Sequence, residues 1–124
     1  KFKRGTRTYC VLFWLMANNY LNKKVDLTTT DITTLYTVPA ETTGIIKSII
    51  VSNDSASADT LTITITNGSS VFSVYKEEAV GAKATKELLS QPLVVEEGEI
   101  IKVTAATANR LHVILSVLEM TRTT

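Results

Sequence analysis

The sequence has few of the residues that build metal sites and catalytic centres. Its 124 residues include one cysteine, Cys10, and one histidine, His112. No disulfide can form within the chain, and structural zinc, which takes four cysteine or histidine ligands, has too few of them. A chain of this length buries enough apolar surface to fold as one domain without either device. We therefore expect no metal and no cofactor.

Glycine, proline and long apolar runs are also scarce. The chain has two prolines and five glycines, and no two glycines are adjacent. It therefore lacks a glycine-rich loop of the kind that holds phosphate groups. A conspicuous uncharged apolar segment, residues 9–17 (YCVLFWLMA), has nine residues, whereas a helix needs roughly 20 to cross a bilayer. We expect neither a nucleotide-binding loop nor a membrane span.

The remaining candidates for chemistry have simpler interpretations. His112 has no second histidine or cysteine near it in the sequence, which favours a structural or solvent-facing side chain. Glu96, Glu97 and Glu99 lack the alternating aspartate and asparagine ligands of calcium loops, so they are typical of a solvated turn. We predict that the protein is not an enzyme.

What the sequence has in abundance is alternation of apolar and hydroxyl side chains. Residues 61–66 (LTITIT) alternate without a fault and meet Asn67-Gly68, which predicts a strand entering a hairpin with residues 71–75. Residues 45–51 are apolar on both faces and rich in β-branched side chains, and residues 111–120 offer two apolar faces. Both segments are predicted to be central strands.

Other segments give weaker signals. We expect a strand at residues 32–38 after a polar stretch at 18–31, a hairpin-like pair at 93–95 and 100–104, and a crossing loop at 76–83. Residues 84–89 are short, have some helical propensity and stop at Pro92, which leaves their structure open. Seven or eight strands without a crossover helix predict an all-β fold, a single antiparallel β-sandwich of jelly-roll or immunoglobulin-like type.

The charge is divided between the two ends of the chain. Residues 1–24 hold six basic residues and no acidic one, whereas residues 25–124 hold 7 basic and 12 acidic residues. We therefore divide the chain into a basic and apolar arm, residues 1–24, and a sandwich domain, residues 25–124. Such an arm is attracted to nucleic acid, to an anionic surface or to the acidic body of another copy. The acidic body opposes a wide nucleic-acid footprint, so nucleic acid is not the partner that we expect.

Two interpretations of the segment before Met16 remain open. In one it is an ordered arm whose large apolar side chains are buried against a partner, because their exposure would be a liability in a monomer. In the other, Met16 is the natural start and the upstream residues are an extension. On the first interpretation the expected partner-binding residues are Lys1, Lys3, Arg4, Arg7, Val11, Leu12, Phe13, Trp14 and Leu15.

Four segments carry a resemblance to a known group of proteins: 35–40 (LYTVPA), 46–53 (IKSIIVSN), 93–105 (LVVEEGEIIKVTA) and 113–119 (VILSVLE). Over about the last hundred residues the chain resembles small virion structural proteins of tailed bacteriophages, of the capsid-decorating, tail or fibre-base type. It departs from that group at Glu41, where the group often has glycine.

The resemblance implies a compact β-sandwich present in many copies in the virion, which is assembled in the host cytoplasm. Its expected partners are other virion proteins and copies of itself, with no small-molecule substrate and no metal. An alternative from a different class is a sandwich that binds glycans or a host surface. Such sites usually need exposed aromatic rings, and after Tyr20 the body offers Tyr36, Phe72 and Tyr75.

Overall fold

The computed structural model describes residues 16–122, and these residues form nine strands and no helix. None of the described segments is therefore a helix long and apolar enough to cross a membrane. The strands are β1 Met16–Leu27, β2 Thr33–Thr37, β3 Thr42–Asn53, β4 Asp59–Asn67, β5 Ser70–Val80, β6 Thr85–Glu87, β7 Leu93–Val95, β8 Ile100–Ala105 and β9 Leu111–Arg122.

The strands form two antiparallel sheets. Sheet A has the order β1-β9-β3, with β6 and β7 both paired to the far side of β3, and sheet B has the order β2-β8-β4-β5. If β6 and β7 are counted as one interrupted strand, each sheet has four strands and most connections pass from one sheet to the other. This is the arrangement of a jelly roll, so the predicted antiparallel sandwich is confirmed.

The core lies between the two sheets. Alternate residues of the central strands point inward and are fully buried, among them Ile49 of β3, Ile63 of β4, Val103 of β8 and Leu115 of β9. The central positions predicted for residues 45–51 and 111–120 are confirmed, because β9 lies between β1 and β3, and β3 lies between β9 and the β6/β7 pair. The hairpin predicted at residues 61–75 is the β4–β5 hairpin, with Gly68 at φ 62° in its turn.

Several boundaries predicted from the sequence are wrong. Residues 18–27 belong to β1 and not to a polar stretch outside the sheets, so the boundary drawn at residue 24 falls inside a strand. The loop predicted at 76–83 is largely strand, because β5 continues to Val80. Residues 93–95 and 100–104 do not pair with each other, since β7 joins sheet A and β8 joins sheet B. The open segment 84–89 contains β6.

Tyrosine hydroxyls close both sides of the sandwich. Tyr36 of sheet B is buried and donates a hydrogen bond to Glu119 Oε2 of sheet A at 2.5 Å. Burial first, and then the bond to Glu119 and its negative charge, raise the pKa of Tyr36 well above its ordinary value. On the other side, Tyr75 donates to the carbonyl oxygen of Leu88. These bonds fix how the two sheets lie against each other.

The turn at Glu41 keeps the shape that glycine adopts easily. Glu41 has φ 57°, the left-handed conformation that side chains with a Cβ rarely take. Three residues later, Gly44 is needed for a different reason, because a Cβ there would lie 3.0 Å from Val95 Cγ2 and 3.3 Å from the Tyr36 hydroxyl. The start of β3 is thus fitted closely against β7 and the Tyr36–Glu119 bond.

Candidate functional site: the outer face of sheet A

The outer face of sheet A is one of the two sheet faces that the described residues leave uncovered. On β9 the inward side chains are buried, whereas the intervening ones point away from the core and are half-buried or exposed. The sequence indicated two apolar faces on this strand and, from them, a central position in its sheet. In the structure, sheet B covers one of these faces of β9, and the opposite face points away from the core.

Four apolar side chains lie side by side on this face, one on each of four neighbouring strands. Backbone register places Tyr20 opposite Leu118, Leu118 opposite Ile45, and Ile45 opposite Val94. Tyr20 is 73% exposed and Val94 58% exposed, while the two central side chains are partly exposed. We call these four residues the apolar row. A contiguous exposed apolar surface of this kind typically marks an interaction site.

Charges of opposite sign flank the apolar row. In one direction along the strands lie Lys24 on β1 and Lys47 on β3, both exposed. In the other direction the chain leaves β7 at once into the turn formed by residues 96–99, and Glu41 precedes β3 at the same end of the sheet. We call the turn 96–99 the acidic turn, since three of its four residues are glutamates. One side of the row is therefore basic and the other acidic.

The acidic turn is an ordered, solvent-facing turn, as the sequence predicted. Gly98 takes φ 82°, and Glu99 Oε1 accepts a hydrogen bond from the backbone nitrogen of Glu96 at 2.7 Å. Glu99 Oε2 accepts a second bond from Asn67 Nδ2 at 3.0 Å. These bonds hold the turn at the end of the sandwich, against the end of β4, where the chain passes from β7 of sheet A to β8 of sheet B.

Glu87 ties the end of β6, and Leu89 just after it, to the bulge of β3. A register shift between Ile46 and Ser48 bulges β3, and residues 47–49 lie in a gap between the stretches of β3 that pair with β7 and with β6. The Glu87 carboxylate fills the gap, because it accepts hydrogen bonds from the Ser48 hydroxyl and from the backbone nitrogens of Ile49 at 3.0 Å and Leu89 at 3.2 Å.

These hydrogen bonds predict an acid-dependent loss of stability. Burial by itself raises the pKa of Glu87, but the bonds from Ser48 and the backbone outweigh it, and the pKa falls below the ordinary 4.5. Because the folded pKa is lowered, the stabilisation is present above about pH 4.5 and is lost as the pH falls through the folded value. Glu87→Gln is expected to lower the free energy of unfolding by about 1 kcal/mol at pH 7, a modest value because the group is solvated.

Urea unfolding of both proteins between pH 7 and pH 3 measures this effect. The difference between wild type and Glu87→Gln should shrink as the pH falls. The matched control is Glu77→Gln, at an exposed glutamate of β5. A difference between wild type and Glu87→Gln that stays constant over this range contradicts the assignment.

The residues that the sequence singled out lie in different places. The predicted partner-binding residues of the arm, 1–15, lie outside the described residues. His112 is half-buried on the outer face of sheet A, with its Nε2 3.2 Å from Asp26 Oδ1 and its Nδ1 4.0 Å from Asp54 Oδ2. Among residues 16–122, no group of three histidine, cysteine, aspartate or glutamate side chains is arranged to hold a metal ion.

Two of the four aromatic rings considered for a glycan platform are engaged within the fold. Tyr36 is buried, and the Tyr75 hydroxyl is bonded to Leu88. Tyr20 and Phe72 are exposed, but they lie on different sheets. No sequence pattern groups Tyr20, Ile45, Val94 and Leu118, because these residues belong to four strands that are not consecutive in the chain.

Comparison with known proteins adds information on the fold. No protein-family model and no curated protein sequence matches the chain. Among solved structures, the chain is similar to one from the study titled "Bacillus endospore appendages form a novel family of disulfide-linked pili", with TM-score 0.55, 8% identity and coverage of 87% of this chain and 89% of the other.

A second similar chain comes from the "Acidic stable capsid structure of Helicobacter pylori bacteriophage KHP30", with TM-score 0.50, 8% identity and coverage of 84% of this chain and 87% of the other. At such low identity the likeness concerns the fold. The chain therefore has an antiparallel β-sandwich fold that is also found in a phage capsid structure and in a structure of bacterial pili.

Proposed function

We propose that this protein is a non-enzymatic structural component of a tailed-phage virion. It assembles in many copies on the capsid or tail, through its sandwich surface and its N-terminal arm, and its partners are other virion proteins and copies of itself. The observation that carries the proposal is the apolar row on an uncovered sheet face. Such a surface is costly to leave in water and is stabilised when another protein covers it.

The structural neighbours support an assembly role without specifying it. One comes from a phage capsid and the other from pili, and both have the sandwich fold of this chain. Small contacts suffice in assemblies of this kind, because each contact is repeated by symmetry and a second contact forms at high effective concentration. This argument applies to the capsid and tail locations alike.

The arm is assigned the role of a latch. Val11, Leu12, Phe13, Trp14 and Leu15 bury their side chains against a neighbouring subunit, and Lys1, Lys3, Arg4 and Arg7 meet acidic surface.

Cysteine content separates this assembly from one that is linked in series by disulfides. A disulfide joins two sulfur atoms, so linking each copy to two neighbours requires at least two cysteines in each copy. The 124-residue chain has one, Cys10. These 124 residues therefore cannot by themselves link copies in a disulfide-bonded series, unlike the pili that the structural comparison describes as disulfide-linked.

Sedimentation velocity of the intact chain under reducing conditions tests the assembly role. We expect the weight-average sedimentation coefficient to rise with concentration in the micromolar range, because the exposed apolar row and the arm both favour association. A chain that stays monomeric to several hundred micromolar, alone and with virion proteins, contradicts the proposal. Cryo-electron microscopy of the particle then locates the repeated density on the capsid or the tail.

A glycan-binding role is the second candidate, and Tyr20 is the observation that favours it. Its exposed ring borders a shallow groove with Asn22, Lys47 and Ser116, whose polar groups suit sugar hydroxyls. A glycan array distinguishes the two roles. Specific binding that Tyr20→Ala abolishes, by a chain that does not self-associate, supports the glycan role.

A further inference from the structure

The apolar row has the dimensions of the apolar segment of the arm. We propose that the apolar row on the outer face of sheet A is the receiving site for residues 11–15 of a second copy of this chain. The inference rests on the proposed assembly role and deepens it, because it names the surface on which the latch closes.

Length is the first argument. The row crosses four strands, and neighbouring strands lie about 4.8 Å apart, so it is about 14 Å long. Five extended residues span about 13 Å at about 3.3 Å per residue. Residues 11–15 (VLFWL) are all large and apolar, and in an extended segment Val11, Phe13 and Leu15 share one face, so three apolar side chains spaced about 6.6 Å apart can lie along the row. Both surfaces lose contact with water when they meet.

Charge gives the polarity of the bound segment. The basic residues of the arm precede its apolar residues, at Lys1, Lys3, Arg4 and Arg7. Val94 at one end of the row lies next to the acidic turn, and Glu41 lies at the same end of the sheet. The arm is therefore bound with Val11 over β7 and Leu15 over β1, which brings its basic residues toward the acidic turn.

The reverse polarity is disfavoured by the remaining charges around the row. Lys24 and Lys47 lie on the side of the row away from the acidic turn, on the outer face of β1 and β3. A basic segment directed across that side meets charges of its own sign, and such pairs are repulsive. The acidic groups near these lysines are already engaged, because Asp26 lies 3.2 Å from His112 Nε2 and Glu87 accepts hydrogen bonds from Ser48 and Ile49.

The sequence next to β1 favours a second copy over the same chain. To lie on its own apolar row, the arm has to reverse direction just before Met16, where β1 begins. Tight reversals use glycine, proline, asparagine or aspartate, and residues 8–17 contain none of these. A segment that continues outward from β1 reaches the sheet of a neighbour.

Charged substitutions in the row provide the first test. Val94→Lys and Tyr20→Lys are at exposed positions, so the fold should persist, yet each removes an apolar contact and adds a charge that repels the basic arm. We expect each to weaken self-association of the full chain at least tenfold in sedimentation velocity. The matched controls are Val71→Lys and Ile32→Lys, which are 63% and 70% exposed and belong to the other side of the sandwich or its rim, and should change association less than twofold.

A double-variant cycle assigns the contact to the arm. Val11→Lys in the full chain should weaken association to a similar degree, and Val11→Lys combined with Val94→Lys should weaken it little further, since Val11 lies over Val94 and both substitutions remove the same contact. If the fold-changes of the two single variants instead multiply in the double variant, the two residues act independently and the inference is overturned. Far-ultraviolet circular dichroism and urea unfolding of each variant verify that the fold is retained.

Cross-linking from Cys10 locates the arm directly. Cys10 is the sole cysteine and adjoins Val11, so a benzophenone maleimide attached to it reports on the neighbourhood of the segment. In a mixture of ¹⁴N and ¹⁵N chains, we expect cross-links between differently labelled copies at residues close to Val94 and Ile45. Cross-links within one copy, to the free edge of β1, or to sheet B overturn the inference.

The outcomes also separate this inference from the proposed function. A chain that neither self-associates nor binds virion proteins contradicts the assembly role itself. A chain that associates as strongly with Val94→Lys and Tyr20→Lys as without them retains the assembly role, but its receiving site is then elsewhere.

Discussion

Replacing Asn53 with aspartate is expected to lower the free energy of unfolding by about 3 kcal/mol at pH 7, although the two side chains have nearly the same shape. Asn53 is 1% exposed at the end of β3. Its amide nitrogen donates to the carbonyl oxygens of Ser57 at 2.9 Å and Val80 at 3.3 Å. Its amide oxygen accepts from the backbone nitrogen and the hydroxyl of Ser55 at 2.9 and 3.0 Å. Aspartate keeps the acceptor but turns an oxygen toward the two carbonyls.

Chemical unfolding in urea, followed by circular dichroism, measures the effect. Because the neutral acid is buried at lower cost than the carboxylate, the loss relative to wild type should be smaller at pH 5 than at pH 7. The control is Asn22→Asp, at an exposed position of β1 whose oxygen accepts a bond from Lys24 Nζ at 3.1 Å, and it should change stability by less than about 0.5 kcal/mol. Equal losses in the two variants contradict the assigned role of Asn53.

The fold class was predictable because its signal is local. Alternation in residues 61–66 and the Asn67-Gly68 turn specify a hairpin within one stretch of chain, and the structure has it as β4 and β5. Residues 45–51 and 111–120 are apolar enough to indicate central strands, and they pair with each other through most of their length as β3 and β9. Local alternation and turn chemistry were sufficient for these elements.

Strand partners were less predictable, because they depend on contacts distant in sequence. β1 is polar on its outer face and was missed, although Leu21, Val25 and Leu27 follow the alternation of a half-buried strand. The tight turn at residues 96–99 suggested a hairpin, but β7 and β8 pair with β3 and with β2 and β4 in different sheets. A turn that crosses between sheets and one that closes a hairpin have similar residue composition.

The candidate site was even less predictable from the sequence than the strand partners. Its four residues are adjacent in space only because β1, β9, β3 and β7 pair in one particular register, and a shift of one residue moves a side chain to the other face. The bulge at Lys47 resets that register within β3. The sequence did indicate a second apolar face on residues 111–120, but it did not indicate that this face is left uncovered.

The second large effect is expected at the centre of the core. Leu115 lies in the middle of β9, opposite Lys23 of β1 and Ile49 of β3, and is fully buried. Leu115→Ala removes three carbon atoms from contacts on both sides, and the paired strands prevent the cavity from collapsing. Losses for such substitutions are about 2–5 kcal/mol, and we expect a value of about 3.5 kcal/mol here because β9 is held by strands on both sides.

Ile114 provides a control on the same strand, one residue away. Its side chain points to the outer face of sheet A and is 40% exposed, so Ile114→Ala should cost less than about 1 kcal/mol in urea unfolding of the dilute protein. The two substitutions remove similar volumes under the same backbone hydrogen bonds, and their difference therefore measures which face of β9 the sandwich covers. Similar losses at the two positions contradict the orientation of β9, and with it the outward placement of Leu118 on which the apolar row depends.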